Sequence, residues 1–240
     1  MSPRQTGYAE LQVSSNFSFL RGASHPDELA LSAAALGHAA IAVTDRNTLA
    51  GVVRAHAAAK KAGIRLVVGA RLDFTDAPSL LCYPTDRAAY GRLAQLLTLG
   101  KRRAAKGQCI LQLADLFDHG KGQILLALPV EPPDRGFARH LQTLQRQFGD
   151  RLYLAAQHLY RGDDGKRLVR LGELADDLGI GLVASNDVHA HSPARRPLQD
   201  VLTCVREDCT IDTAGTRLHA NAERHLKSPA EMARLFRRRP

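Results

Sequence analysis

Two hydrophobic periods alternate along this chain. Short runs rich in Val, Leu, Ile and Ala predict strands at 10–13, 40–43, 65–68, 79–83, 123–128, 151–155 and 181–184, the third extending toward Phe74. Between them, apolar residues recur at helical spacing and predict helices at 26–36, 48–62, 86–99, 113–119, 134–148, 163–178, 197–204 and 229–236. Leu93, Leu96 and Leu97 share one face of the third helix. The punctuation agrees with the periodicity. Ser24-x-x-Asp27 with Pro26 marks a helix start; Gly37, Gly63 and Gly179 mark helix stops; Ser228 caps the last helix. Asp76-Ala77-Pro78 is a turn signal, and Pro132-Pro133 a break.

Seven strands, most followed by a helix and several apolar throughout, predict a parallel α/β architecture. A length of 240 residues suits one (β/α) barrel of about 250 residues, with an open doubly wound sheet as the alternative. The barrel is expected to occupy residues 1–206. Residues 207–240 read as a connector carrying one helix. No internal repeat or low-complexity segment interrupts the pattern.

Composition narrows the partners. Hydrophobic and charged contents of 45% and 24% are those of a soluble globular protein. The first residues hold no apolar signal segment, and the longest apolar run, 124–130, is far short of the roughly 20 residues that span a membrane. A cytoplasmic protein with no membrane partner is expected. Cys82, Cys109, Cys204 and Cys209 have neither disulfide-framework nor zinc-site spacing and read as reduced thiols. The net charge of +9 suits a polyanion such as DNA. The basic clusters are Lys101-Arg102-Arg103 with Lys106, Arg195-Arg196 and Arg237-Arg238-Arg239, the first being the candidate DNA contact. Aromatics are only 5% and Trp is absent, so a base-stacking platform is not expected.

Chemistry in a barrel gathers just past the C-terminal strand ends. Those positions hold Gln12 and Ser14, Asp45 and Arg46, Arg71, Glu131, Gln157 and His158, and Asp187 and His189. An Asp-x-His pair can serve one divalent metal. The chain has no Walker A loop, dinucleotide glycine fingerprint, Gly-x-Ser-x-Gly elbow or His-Glu-x-x-His, which removes several enzyme classes.

The blocks Tyr8-Ala9-Glu10-Leu11-Gln12-Val13-Ser14-Ser15-Asn16-Phe17-Ser18-Phe19-Leu20-Arg21-Gly22, Ala42-Val43-Thr44-Asp45-Arg46 and Asn186-Asp187-Val188-His189 resemble the first two motifs and the last motif of the PHP (polymerase and histidinol phosphatase) domain. Leu198-Gln199-Asp200-Val201-Leu202-Thr203 and Asn221-Ala222-Glu223-Arg224-His225-Leu226 resemble the segment that joins that domain to the polymerase in bacterial C-family DNA polymerases. The first block is similar to the error-prone branch. The resemblance covers almost the whole chain and implies a distorted seven-stranded (β/α) barrel.

Active members, the resemblance implies, hold about three metals on His, Asp and Glu and hydrolyse phosphoesters. Carried onto this chain, the ligand positions read Gln12 and Ser14 for two histidines, Arg21 before the closing glycine, Asp45 with Arg46 for Asp-His, Arg71 for a glutamate, and the apolar 128–129 region after the fifth strand. Only Asp45, His158, Asp187 and His189 keep ligand types. A guanidinium is no ligand and repels a dication. The pocket is therefore expected to be metal-free, with Arg46 or Arg71 paired to Asp45 or Asp187. Alternatively, Asp45 would cap the helix from Thr48, and Asp187 a turn before Pro193. The implied function is the scaffolding domain of an error-prone, translesion DNA polymerase. Its Mg2+, deoxynucleoside triphosphates and active site would lie beyond Pro240, and other translesion proteins would be possible partners. The alternatives are a metal-dependent phosphoesterase or 3′–5′ exonuclease, and a stand-alone nucleic-acid-binding module.

Overall fold

The structure, a computed structural model, describes residues 7–130 and 133–237. Glu131, the Pro132 half of the proline break, and Arg238 and Arg239 lie outside the described residues. Among the described residues, eight strands form two sheets. In the first, β1 (Ala9–Glu10), β2 (Ala40–Val43) and β3 (Arg65–Val68) are parallel in that order. The second runs β4 (Ala70–Leu72), β5 (Leu80–Pro84), β6 (Gln123–Ala127), β7 (Leu152–Gln157), β8 (Gly181–Ser185).

The third expected strand is thus two strands, bent at Gly69. A Cβ there would lie 2.6 Å from the Tyr83 ring and 3.0 Å from the Cys82 carbonyl oxygen, so only glycine lets β3 turn into β4 against β5. The sheet is also not parallel throughout. β4 pairs antiparallel with β5, and β5 with β6. The Asp76-Ala77-Pro78 turn lies in the short link between β4 and β5, too short for a parallel crossover.

The two sheets meet at both edges. Ser14 N donates to Val188 O and Val188 N to Gln12 O, both 2.8 Å, while Arg71 N donates to Asp45 O (3.1 Å) and Asn47 N to Arg71 O (2.7 Å). These bonds close the strands into a distorted ring. Strand alternation then sorts side chains into two cores. Leu81, Tyr83, Leu126 and Leu128 point inward with Ala42 and Ala155. Leu80, Cys82, Leu125 and Ala127 point outward onto a helical layer. Burial on both faces explains why these strands read as continuous apolar runs.

The helices are α1 (Pro26–Ala35), α2 (Val52–Ala62), α3 (Arg87–Arg102), α4 (Leu113–His119), α5 (Arg135–Phe148), α6 (Asp164–Leu178), α7 (Arg196–Arg206), α8 (Ile211–Ala214) and α9 (Pro229–Phe236). α2 starts later than the expected Thr48, because Asn47 takes a left-handed backbone (φ 50°) to reach Arg71. α7 is inverted. It buries Gln199, Thr203 and Cys204, while Leu198, Val201 and Val205 are 41%, 49% and 61% exposed. α9 lays Met232 and Phe236 against Ala156, next to β8.

Candidate ion-paired site at the strand ends

The first loop is built around Asp45. Its carboxylate accepts from Ser15 N (2.8 Å), Ser15 Oγ (2.7 Å) and Ser18 Oγ (2.6 Å). Burial pushes the Asp45 carboxyl up, against the hydrogen bonds from Ser18 and Ser15. Asp45 therefore fastens the 15–18 turn and does not cap α2. The turn is tight. A Cβ at Gly22 would meet the Ser15 carbonyl oxygen at 2.1 Å, and Leu20 sits at φ 56°.

Gln12, where the family motif places a histidine, is buried at the centre of a polar chain. Its Nε2 donates to Asp187 Oδ1 (2.7 Å), and its Oε1 accepts from Gln157 Nε2 (2.9 Å) and Ser185 Oγ (2.8 Å). Ser14, also buried, lies beside it with its backbone on Val188. Asp187 also contacts His189 Nε2 at 3.4 Å and forms an ion pair with Arg224. It caps no turn before Pro193. Burial, followed by the positive charges of Arg161, Arg71 and Arg167, lowers the Arg224 pKa to about 9.

Arg46 and Arg71 do face a carboxylate, but it is Asp73 rather than Asp45 or Asp187. Arg46 Nε lies 3.1 Å from Asp73 Oδ2, and Arg71 Nε donates to Asp73 Oδ1 at 2.8 Å. Ser79 Oγ donates to the same oxygen at 2.6 Å. β4 presents residues 71 and 73 on one side, so one short segment carries both an arginine and its carboxylate. Burial lowers the Arg46 pKa to about 10, as does neighbouring Arg71.

His158 follows β7 but makes no hydrogen bond to Asp45, Asp187 or His189 among the described residues. Its ring packs edge-on against Tyr160, centroids 5.0 Å apart. All four residues of the basic cluster are exposed, and Arg103 also makes a bidentate pair with Asp115 (2.6 and 2.9 Å).

Sequence reasoning missed three participants: Asp73, Arg224 and Glu10. Glu10 is buried and accepts from Tyr8 Oη (2.7 Å), Gln12 N (3.0 Å) and Asn186 N (3.1 Å). Burial pushes its carboxyl up to about 7, against these bonds and the Lys227 charge. Residues 219–227 run over the strand ends. His189 N donates to Arg224 O (2.9 Å), Asn186 Nδ2 donates to Glu223 O (2.8 Å) and His225 O (2.6 Å), and Asn221 Nδ2 to Leu159 O (2.7 Å).

The donor set does not suit a divalent cation. Asp45 is spent on serines and Asp187 on Gln12 and Arg224, while His189 Nε2 lies 3.4 Å from Asp187. Among the described residues no three His, Cys, Asp or Glu side chains form a group that could hold a metal. The surroundings of His189 instead disfavour its charged form. Burial, then the charges of Arg71 and Arg46, depress the His189 pKa to about 3. A depressed folded-state pKa gives stability that is present above the unfolded value, near 6.5, and lost as pH falls toward 3. Glu10, with its pKa raised, works oppositely: its contribution is present below about 4.5 and lost as pH rises through about 7. A variant comparison separates them. His189→Gln is expected to flatten the acid limb of the stability–pH curve by up to about 1.4 kcal/mol per pH unit between pH 6 and 4. Parallel wild-type and variant curves in denaturant titrations would refute a buried neutral His189.

Comparison with known proteins bears on this geometry. A family model described as PHP domain matches residues 10–157. An error-prone DNA polymerase of Caulobacter vibrioides is 58% identical over 234 residues, 97% of this chain but 22% of that protein. Error-prone DNA polymerase 1 of Agrobacterium fabrum is 50% identical over 233 residues, 97% of this chain and 21% of its own. The chain thus spans about a fifth of the length of these curated relatives. Among solved structures, an amidohydrolase from Chromobacterium violaceum, holding sulfate and no metal, superposes with a TM-score of 0.60 at 18% identity, covering 77% of this chain and 88% of its own. That likeness is one of fold. With its motif blocks at the strand ends, its distorted ring and a family match over most of its length, the chain belongs to the PHP-domain family.

Proposed function

We propose that this chain is the PHP domain of an error-prone DNA polymerase and works there as a metal-free scaffold. The observation that carries the reading is the replacement of metal-ligand chemistry by ion pairs: Arg46 and Arg71 on Asp73, and Arg224 on Asp187. The relatives' names and the shared 97% coverage support the polymerase as the parent. Template-directed DNA synthesis, with DNA, deoxynucleoside triphosphates and Mg2+, belongs to the parent. So do damage repair by translesion synthesis and a cytoplasmic location. The inverted face of α7 supports the scaffolding role, since an apolar stripe on a domain that forms a fifth of its relatives suits contact with the rest of such a polypeptide.

Metal analysis tests the reading. The purified chain, exposed to zinc and manganese and then desalted, is expected to retain far less than one equivalent of either and to hydrolyse neither a phosphomonoester nor a single-stranded DNA end. Retention of two or more equivalents together with either hydrolysis would replace the scaffold with a metal-dependent phosphoesterase.

A further inference from the structure

The arginines near the strand ends outnumber their partners. Arg21, Arg46, Arg71 and Arg206 act on one another and on His189 through space, which puts all four in one neighbourhood. Hydrogen bonds fix how they get there. Arg46 N donates to Ser18 Oγ (3.1 Å), tying the end of β2 to the first loop. Arg206 Nη1 donates to Leu20 O (2.9 Å), and Gln199 Nε2 to Arg21 O (2.7 Å), tying α7 to the same loop. Arg46 and Arg71 pair across the bridge that closes the ring.

Among the described residues, two carboxylates serve three of these four cations. Asp73 is shared by Arg46 and Arg71, and Glu207 takes Arg206 Nε at 2.9 Å. Asp45 is turned to the serines and Asp187 to Arg224. The Arg21 guanidinium, half-buried on a loop held tight by Gly22, has no hydrogen bond or ion pair among the described residues; Asp73 and Glu207 reach it only through space. The terminal nitrogens of Arg46 likewise make no hydrogen bond among the described residues. The side chains of Arg46, Arg71 and Arg206 keep 25%, 20% and 23% of their surface open. A half-buried guanidinium with unused donors, beside three more, is costly unless an anion completes it.

We propose that Arg21, Arg46, Arg71 and Arg206 form a receptor for a phosphate oxyanion, with Arg21 as its principal donor. The inference rests on the metal-free reading above. Where the family motif places cation ligands, this chain has placed fixed cations, and the preferred guest changes sign from metal to anion. Guanidinium forks match the geometry of phosphate oxygens. The same chemistry occurs on a free phosphate or pyrophosphate and on a nucleic-acid backbone.

Thermal unfolding of the chain in phosphate and in pyrophosphate, against sodium chloride at equal ionic strength, tests it. A ligand that binds only the folded state raises Tm, and millimolar binding here is expected to add roughly 2–4 °C. Arg21→Gln is expected to keep its Tm in chloride, because nothing in the fold holds the guanidinium, and to lose the rise. Fluorescence anisotropy with a short duplex identifies the source. Backbone phosphate is indicated if Arg21→Gln weakens binding and reduces the salt slope by about 1; a response to pyrophosphate alone indicates the free ion. No rise in either anion and no Arg21-dependent duplex binding would overturn the receptor, as would effects equal in wild type and Arg21→Gln. A response abolished by chelator would overturn both this inference and the metal-free scaffold, whereas loss of the receptor alone leaves the scaffold standing.

Discussion

Arg224→Met is expected to lower the unfolding free energy by about 3–5 kcal/mol, because it leaves the buried Asp187 carboxylate without its cation. Methionine keeps much of the packing volume, so the loss is chiefly electrostatic. The cost of an unpaired buried charge exceeds the net worth of the pair, and this gives the control. In Arg224→Met with Asp187→Asn, an uncharged amide replaces the carboxylate and most of the loss should return. Urea denaturation of the wild type, both single variants and the double variant supplies the cycle. Additive single effects would show that Asp187 and Arg224 do not depend on one another. The expected strong coupling would make residues 219–227 part of the same folded unit as the strands, since Arg224 binds Asp187 and Asn221 binds Leu159.

Asp73→Ala is expected to cost about 2–3 kcal/mol, less than the first because its side chain is 26% exposed and solvent screens the result. Arg46 and Arg71 would then face each other across the ring-closing bridge with nothing between. Higher salt should restore part of the loss. Arg71→Ala should cost only about 1 kcal/mol, since Asp73 keeps Arg46 and the repulsion between the arginines is relieved. Equal losses in Asp73→Ala and Arg71→Ala, measured by the same denaturation, would mean that packing rather than shared charge decides. The pH dependence follows. Burial opposes ionisation of Asp73, yet Arg71 and Arg46 hold its carboxyl below the ordinary carboxylate value. Its contribution is therefore present above about pH 4 and lost as pH falls.

Much of this architecture was legible because burial leaves a periodic trace. The runs 40–43 and 123–128 read as strands since both their faces are covered, 181–184 reads as one from its apolar residues although it is only part-buried, and each lies within one residue of its strand. The bend at Gly69 was less legible: one apolar stretch continues across it, and only the close approach of Tyr83 shows why the chain turns. Antiparallel β5 was signalled by the 76–78 turn, but the alternation of strands and helices elsewhere favoured a parallel reading. The strand-end rule brought Gln12, Asp45, Arg46, Arg71, Asp187 and His189 to one face. It could not pair them. Asp73 carried a usable signal, two residues past Arg71 on the same side of β4. Arg224 carried none: it lies in an irregular segment whose position is set by the Ala190–His225 bridge. Glu10, the last residue of the two-residue β1, carried no signal that set it apart from a surface charge.

The ring closure also has a consequence for the order in which the chain can fold during synthesis. β1 meets β2 early, but Gln12 waits for Asp187, and Glu10 for Asn186, separations of 175 and 176 residues. Contacts so distant in sequence are slow to form, since loop closure must precede any gain from them. A nascent chain emerging from the ribosome therefore holds its first strand beside an unfinished polar interior until the segment around Asn186 and Asp187 has been made. Arg224 emerges among the last residues needed to neutralise that interior. β1 is made well before its distant partners and is among the last strands to be secured, so chaperones and proteases would meet it in the interval.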